Sequence, residues 1–187
     1  MKNTKKELAN ALKNIMKSKQ ISKISITEIV KECDVNRKTF YYHFENIYDL
    51  IKWILKEEIF EVIKKIYLVN DWEHAIVFIV DYVNENKYIL NTTLEIMGPD
   101  EMKNFFYNSF ISIITPTVDS LEESLNLEIP IDFKIFLCEI YSETLSSLII
   151  NLFKDNIIRD KNKIISYMSL IFKSSVPEML KSASKNK

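Results

Sequence analysis

A short stretch near the amino terminus combines cations, hydroxyl groups and aromatic rings more densely than a core or a solvated loop requires. Residues 35 to 51 read VNRKTFYYHFENIYDLI. On a helix, at about 100° per residue, Phe40 and Phe44 share one side, and Lys38 and Tyr42 lie roughly 160° from Phe40. The phenylalanines would anchor the helix while the cations, the hydroxyls and the Tyr42 ring face outward. This mixture is typical of a helix in the major groove of DNA, where cations reach guanine acceptors and tyrosine contacts thymine methyl groups.

Capping residues predict that this stretch belongs to a helix-turn-helix. Ser25 precedes Glu28 by three residues, which is the spacing of a capping box at the start of a short helix. Asp34 follows in the turn and is expected in the left-handed region of backbone space. Asn36 would then cap the outward-facing helix, and Asn46 the helix after it. Two short helices separated by a three-residue turn have the spacing of a helix-turn-helix.

The composition predicts helices along the whole chain. Its 187 residues include one glycine and four prolines, too few for the tight turns of a sheet protein. We predict an all-α fold in which a three-helix DNA-binding head, residues 1–52, precedes a helical bundle, residues 53–187, whose ligand-sensing and dimerisation roles are considered below. The helix-turn-helix would occupy about residues 25–44.

Prolines predict helix boundaries in the second half of the chain: one helix ends at Gly98-Pro99, and Pro130 introduces another. Pro116 is expected to begin a new helix, because proline disrupts a helix interior. The segment KNKIISYMSLIFKSSV is expected to form the last helix of the bundle.

The charges are distributed unevenly. Residues 1–52 contain eleven Lys and Arg against six Asp and Glu, a net charge of +5, whereas residues 53–187 carry −6 and the whole chain −1. A basic head on an acidic body is typical of a nucleic-acid-binding protein, since phosphates attract the head alone. Charge by itself leaves a second interpretation open, in which a lysine-rich composition has a chance gradient.

Several classes of protein are not indicated by the sequence. No apolar run approaches the roughly 18 residues of a membrane span, and the lysine-rich start does not resemble a signal peptide. Cys33 and Cys138 lie far apart, as expected of two reduced thiols in the cytoplasm. Neither histidine belongs to a metal or nucleophile motif. We therefore expect a cytoplasmic protein that is not an enzyme and needs no metal or cofactor.

Residues 25 to 51 resemble the DNA-binding head of the TetR (tetracycline-repressor) family of bacterial transcription regulators. The matching residues are TEIVKECDVNRKTFYYHFENIYDLI. Two positions depart from the family pattern: Asp34 replaces a turn glycine, and Ile47 replaces a phosphate-binding lysine. TFYYHFENIYDLI most resembles the branch that regulates dihydroxyacetone kinases. The resemblance implies that the residues contacting double-stranded DNA are Thr27, Arg37, Lys38, Thr39, Tyr41, Tyr42 and His43.

Base readers and phosphate contacts can be distinguished within this set. Arg37, Lys38 and Tyr42 are expected to read bases, whereas Thr27, Thr39, Tyr41 and His43 would mainly hold phosphates. The alternative is an all-helical protein-interaction module or co-regulator with weak or no DNA binding of its own.

The family resemblance also implies an effector site within residues 53–187. Polar groups recur in its apolar helices beside aromatic rings, which suits an uncharged or weakly polar small molecule. Two alternatives remain open: the polar groups bond to one another in a filled core, or a protein partner replaces the small molecule. The candidate pocket residues are Tyr82, Asn91, Thr93, Phe106, Tyr107, Asn108, Phe110, Tyr141 and Thr144, with rings at Phe78 and Phe136.

Two carboxy-terminal helices predict a homodimer. FLCEIYSETLSSLIINLF is apolar on more than one face and is followed by IISYMSLIF, so both segments need cover on several sides. A twofold dimer built from residues 134–174 would supply that cover and present two recognition helices to an operator. Its candidate interface residues are Leu148, Leu152, Tyr167, Met168 and Ile171.

Overall fold

The computed structural model describes residues 3–66, 71–154 and 160–184, and the regular elements in these ranges are all helical. The predicted all-α fold is confirmed. The amino-terminal head contains α1 (Thr4–Met16), a 3₁₀ turn (Ile21–Lys23), α2 (Ile26–Glu32) and α3 (Arg37–His43). The later helices are α5 (Trp72–Glu85), α6 (Lys87–Met97), α7 (Pro99–Ser124), α8 (Ile131–Lys154) and α9 (Lys161–Ala183).

One continuous helix joins the head to the body. Its first part is α4 (Ile47–Leu55), which is followed by a π-helical turn (Lys56–Phe60) and a final α-helical turn (Glu61–Ile63). We call this whole segment the connector helix. The boundary predicted between residues 52 and 53 therefore lies within a helix, with no linker at that point.

The predicted caps of the helix-turn-helix are confirmed. The Ser25 hydroxyl accepts a hydrogen bond from the Glu28 backbone, and the Glu28 carboxylate accepts one from the Ser25 backbone at 2.9 Å. Asn36 accepts from the Thr39 backbone at 2.8 Å, and Asn46 caps α4 in the same way. Asp34 lies in the left-handed region with φ of 52°, as expected for this turn.

The body is a helical bundle in which α7 and α8 form the most extensive pair and α9 packs on α5. Trp72 of α5 stacks on Phe172 of α9 with ring centroids 5.1 Å apart. Glycine permits the sharp entry into α7, since Gly98 has φ of 75° and Pro99 begins the helix.

The boundary predicted at Pro116 is wrong and the last helix extends beyond its predicted segment, whereas the boundaries predicted at Pro99 and Pro130 are confirmed. Helix α7 continues through Pro116, and α9 continues through Pro177 to Ala183. Buried side chains lie on both sides of each proline: Ile113 and Val118 in α7, and Val176 and Leu180 in α9. A proline inside a helix destabilises it by roughly 3 kcal/mol. The burial of apolar side chains on both sides of the proline offsets this cost and keeps the helix continuous.

Helix α8 is long and apolar enough to cross a membrane by length and composition, which the sequence reading had not identified. Residues buried inside the protein make up 44% of its most apolar window. Core helices of soluble proteins meet the same two criteria, so this helix is weak evidence for a membrane span.

Candidate nucleic-acid interface

Two buried phenylalanines fix the orientation of α3. Phe40 has no exposed surface, and Phe44 is 3% exposed at the end of the helix. Their rings lie 6.0 Å apart, and Phe44 also meets Trp53 of the connector helix edge-on at 5.8 Å. Ile29 of α2 is fully buried in the same core. This core turns the opposite side of α3 outward.

The outward side carries the predicted base-reading residues. Arg37, Lys38 and Tyr42 are exposed, Tyr42 to 84% of its surface. Lys38 has no ion-pair partner among the described residues. Arg37 donates a hydrogen bond to the Tyr41 hydroxyl at 3.3 Å and lies over that ring, so its guanidinium is held beside the helix by a neutral partner. Its charge stays available to a nucleic-acid acceptor.

The predicted phosphate contacts have more varied surroundings. Thr27 is exposed near the start of α2, and Tyr41 is half exposed. His43 is half-buried and meets the Tyr42 ring edge-on at 4.9 Å. Thr39 is also half-buried, and its hydroxyl donates to the capping oxygen of Asn36 at 3.1 Å. The Thr39 hydroxyl therefore has a structural partner within the helix, which the sequence reading did not foresee.

The head has the geometry of a major-groove reader. A short helix presents cations, a tyrosine and hydroxyls on one side, and its other side is fixed to a small core by phenylalanine. A second short helix supports it through the capped turn of residues 33–36, between Glu32 and Arg37. The lysines and arginine supply attraction to phosphates, and their exposed ends can reach base edges.

Comparison with known proteins agrees with this geometry. Residues 5–54 match the family described as bacterial regulatory proteins, tetR family. A curated relative, the HTH-type dhaKLM operon transcriptional activator DhaS of Lactococcus lactis subsp. lactis (strain IL1403), is 30% identical over 84 residues. That alignment covers 45% of this chain and 45% of the relative, so less than half the length of this curated relative is matched. The family match lies in the amino-terminal part of the chain and includes α2, α3 and the beginning of the connector helix.

Solved structures extend the likeness in fold to nearly the whole chain. The dihydroxyacetone kinase operon activator DhaS has a TM-score of 0.74 at 19% identity, covering 98% of this chain and 99% of that one. NalD, the secondary repressor of the MexAB-OprM multidrug efflux pump in Pseudomonas aeruginosa, has a TM-score of 0.55 at 18% identity, covering 91% and 95%. A tetR-family regulatory protein from Rhodococcus RHA1 has a TM-score of 0.51 at 14% identity over both full chains. The matches to DhaS agree with the branch predicted from the sequence.

Five of the predicted effector-pocket residues lie in a filled core: Tyr82, Thr93, Phe106, Phe110 and Tyr141. The hydroxyl of Tyr82 donates to Glu58 at 3.0 Å, that of Thr93 donates to the Ile89 carbonyl, and that of Tyr141 pairs with Ser175 at 2.7 Å. Phe106 and Phe110 are buried around Phe60 of the connector helix. These hydroxyls already have partners, as in the filled-core alternative.

Other predicted pocket residues lie nearer the surface. Asn91 and Phe78 are half-buried, and Thr144 is exposed. Phe136 is 58% exposed, so it does not line the bundle interior as predicted; the buried side of α8 instead carries Leu137 and Tyr141. Tyr107 lines a groove of about 420 Å³ between α7 and α8, and Asn108 lines another of about 540 Å³ beside the connector helix.

The predicted dimer residues divide into two groups. Tyr167 and Ile171 are exposed, and Leu148 and Leu152 are half-buried. Met168 is 8% exposed and lies in the core of its own chain, because the side of α9 that contains it and Phe172 packs on α5. Met168 is therefore removed from the candidate interface.

Proposed function

We propose that the chain is a sequence-specific transcriptional regulator that binds a double-stranded, roughly palindromic operator through α3. The outward face of α3 carries this proposal, because its cations and Tyr42 are exposed while Phe40 holds the helix in place. Arg37, Lys38 and Tyr42 read bases, and Thr27, Tyr41 and His43 hold phosphates. Thr39 contributes chiefly by capping α3. The chain acts in the cytoplasm as a regulator and not as an enzyme.

A homodimer supports this function, since two recognition helices about 34–36 Å apart would enter successive major grooves. Ten large hydrophobic side chains are exposed among the described residues, and seven of them lie on α8 and α9. Exposed apolar side chains concentrated on two neighbouring helices indicate a surface that another protein covers. We call this surface the apolar face: Ile131, Ile135, Phe136, Ile140, Tyr167, Leu170 and Ile171.

The division of labour within the chain follows from these two surfaces. Residues 1–52 would bind DNA, and residues 53–187 would dimerise and receive a signal from a small molecule or a protein partner. Such a signal acts only by favouring one separation of the two heads over another. The DhaS name connects that relative with a dhaKLM operon, which makes the DNA upstream of any neighbouring kinase operon a candidate operator.

DNA binding is tested by titrating the protein onto DNA from upstream of its own gene, with shuffled DNA of equal length as the control. Binding that prefers the upstream DNA supports the proposal. Equal binding to both sequences at physiological salt would contradict sequence-specific recognition and support the alternative, a co-regulator with weak or no DNA binding of its own.

The dimer is tested by sedimentation equilibrium at micromolar concentration. The native chain should have the mass of two protomers, and Leu170→Glu, which introduces a charge into the apolar face, should shift it toward one. Asn84→Glu, on exposed α5 surface, is the matched control and should leave the mass unchanged. A monomeric native chain would contradict the proposal.

A further inference from the structure

A groove of about 540 Å³ lies between the connector helix and α7. Three lysines of the connector helix line it: Lys52, Lys56 and Lys64. On an uninterrupted α-helix, Lys52 and Lys64 would be about 120° apart, at about 100° per residue. The π-helical turn Lys56–Phe60 lies between them and rotates less per residue than an α-helix, which reduces that offset. The π turn therefore helps bring the lysines into a single groove.

The positive charge of the groove is incompletely neutralised. Lys52 pairs with Glu101 of α7 at 2.8 Å, and Lys64 pairs with Glu61 at 3.0 Å. Lys56 is exposed and has no ion-pair partner in the described part of the chain. Among the described residues, Glu101 is the one carboxylate that lines the groove beside the three lysines. An anion entering here would meet net positive charge.

The groove also has apolar and polar walls. Phe60 is buried in its wall, Phe105 is half-buried, and the two rings meet edge-on at 5.9 Å. Two asparagines and two serines of α7 complete the lining. Aromatic carbon, amides and hydroxyls beside lysines suit a small molecule that joins an apolar part to a phosphate or carboxylate.

We propose that this groove binds a small organic anion and that the anion acts on the DNA-binding head by competing with Glu101 for Lys52. The ligand expected from the sequence is uncharged or weakly polar, whereas the lysine groove suits an anion; of the predicted pocket residues, Asn108 lines this groove. The regulatory part rests on the DNA-binding function proposed above, whereas anion binding does not.

The contact with the head comes from a three-residue cluster. The Glu101 carboxylate accepts hydrogen bonds from Lys52 and from the Tyr48 hydroxyl, both on α4. Glu101 lies in the first turn of α7, so the cluster joins the head to the body. The carboxylate raises the pKa of Lys52, and Lys52 and Tyr48 lower the pKa of Glu101, so both charges persist near neutral pH. An anion bound to Lys52 would weaken this join.

A second set of polar contacts between the head, the connector helix and the body would limit how far the head moves when the Lys52–Glu101 pair is weakened. Lys13 of α1 contacts Glu58 of the π turn at 2.8 Å, and Glu58 accepts from Tyr82 of α5. With the first join weakened and the second retained, the head would reorient on the body without separating from it. Because the Lys52–Glu101 pair is partly exposed, the expected change in DNA affinity is about two- to fivefold.

Calorimetric titration of the full chain tests the groove, with phenyl phosphate as the probe. Phenol and inorganic phosphate are the controls that lack the charge and the ring, respectively, and both should bind more weakly. Lys56→Gln should weaken phenyl phosphate binding about fivefold or more. Lys65→Gln removes a neighbouring exposed lysine that does not line the groove and should have no such effect. Equal affinity for phenol and phenyl phosphate, or an unchanged affinity in Lys56→Gln, would overturn the proposal.

DNA titrations test the regulatory part separately. Phenyl phosphate should change the affinity for upstream DNA about two- to fivefold, and Glu101→Gln should reproduce that change and abolish the response to the probe. Lys56→Gln should leave DNA affinity unchanged without the probe; a loss would assign the groove lysines to DNA phosphates and overturn the proposal. Absence of all DNA binding would refute the proposed function, while calorimetry would still decide whether the groove binds anions.

Discussion

Phe40 and Tyr42 provide a matched pair of aromatic substitutions on one helix. Phe40 is fully buried and packs against the rings of Phe44 at 6.0 Å and Tyr41 at 5.7 Å. Tyr42, two residues later, exposes 84% of its surface. If the faces of α3 are assigned correctly, Phe40→Ala should act on stability and Tyr42→Ala on DNA recognition.

The expected magnitudes separate the two variants clearly. Replacing a fully buried phenylalanine by alanine costs about 3–5 kcal/mol, a large share of the roughly 5–15 kcal/mol that stabilises a typical protein. Tyr42→Ala removes an exposed side chain, so the free energy of unfolding should change by no more than about 0.5 kcal/mol. Loss of a base contact by Tyr42→Ala should cost about 1–3 kcal/mol of operator binding, or roughly 5- to 150-fold in affinity.

Urea unfolding followed by circular dichroism measures the first effect, and fluorescence anisotropy with labelled operator DNA measures the second. Both variants are compared with the native chain at the same salt concentration, because phosphate contacts make affinity salt-dependent. Equal destabilisation by the two substitutions would refute the assignment of faces. Native operator affinity in Tyr42→Ala would show that this ring does not read the operator.

Three further predictions concern the head. Lys38→Ala should cost about 1–3 kcal/mol on the operator and relax specificity at one base pair, whereas His43→Ala should weaken all DNA sequences alike; competition assays with point-mutated operators distinguish them. Asp34→Gly relieves a left-handed residue worth roughly 1–2 kcal/mol but adds unfolded-state entropy of about 0.5–1 kcal/mol, so urea unfolding should show a gain of at most about 1.5 kcal/mol. Hydrogen bonds from Lys19 and Ser25 lower the pKa of Glu28 to about 2, so its contribution is present above the unfolded value near 4.5 and is lost as pH falls toward 2. Glu28→Gln should reduce the loss of stability across that window in acid unfolding, and an unchanged acid profile would contradict this.

The helix-turn-helix could be predicted from the sequence because its determinants are local. Ser25 and Glu28, or Asn36 and Thr39, are three residues apart and form their cap bonds within one helical turn. The alternation of buried Phe40 and exposed Tyr42 likewise follows from helical geometry alone. Such short-range patterns keep their meaning whatever the rest of the chain does.

The body was predicted less well because its determinants are contacts between distant residues. The free-energy cost of a proline inside a helix can be estimated from the sequence. The burial of Ile113 and Val118 around Pro116, which offsets that cost, depends on how α7 packs in the folded bundle. The hydroxyls of Tyr82 and Tyr141 suggested a ligand site because their partners, Glu58 and Ser175, are 24 and 34 residues away. A polar residue in an apolar helix has the same sequence pattern whether it binds a ligand or a neighbour.

The connector helix shows why this difference matters for function. Two of its ion pairs with other helices, Lys13–Glu58 and Lys52–Glu101, span 45 and 49 residues of sequence, and neither pair belongs to a recognised motif. Both carboxylates also accept a tyrosine hydroxyl, Glu58 from Tyr82 and Glu101 from Tyr48. A carboxylate held by a lysine and a tyrosine is stabilised by charge-assisted bonds that depend on distance and direction. The position of the DNA-binding head on the body is thus linked to two directional contacts, one of which borders an open basic groove where a competing anion can reach it.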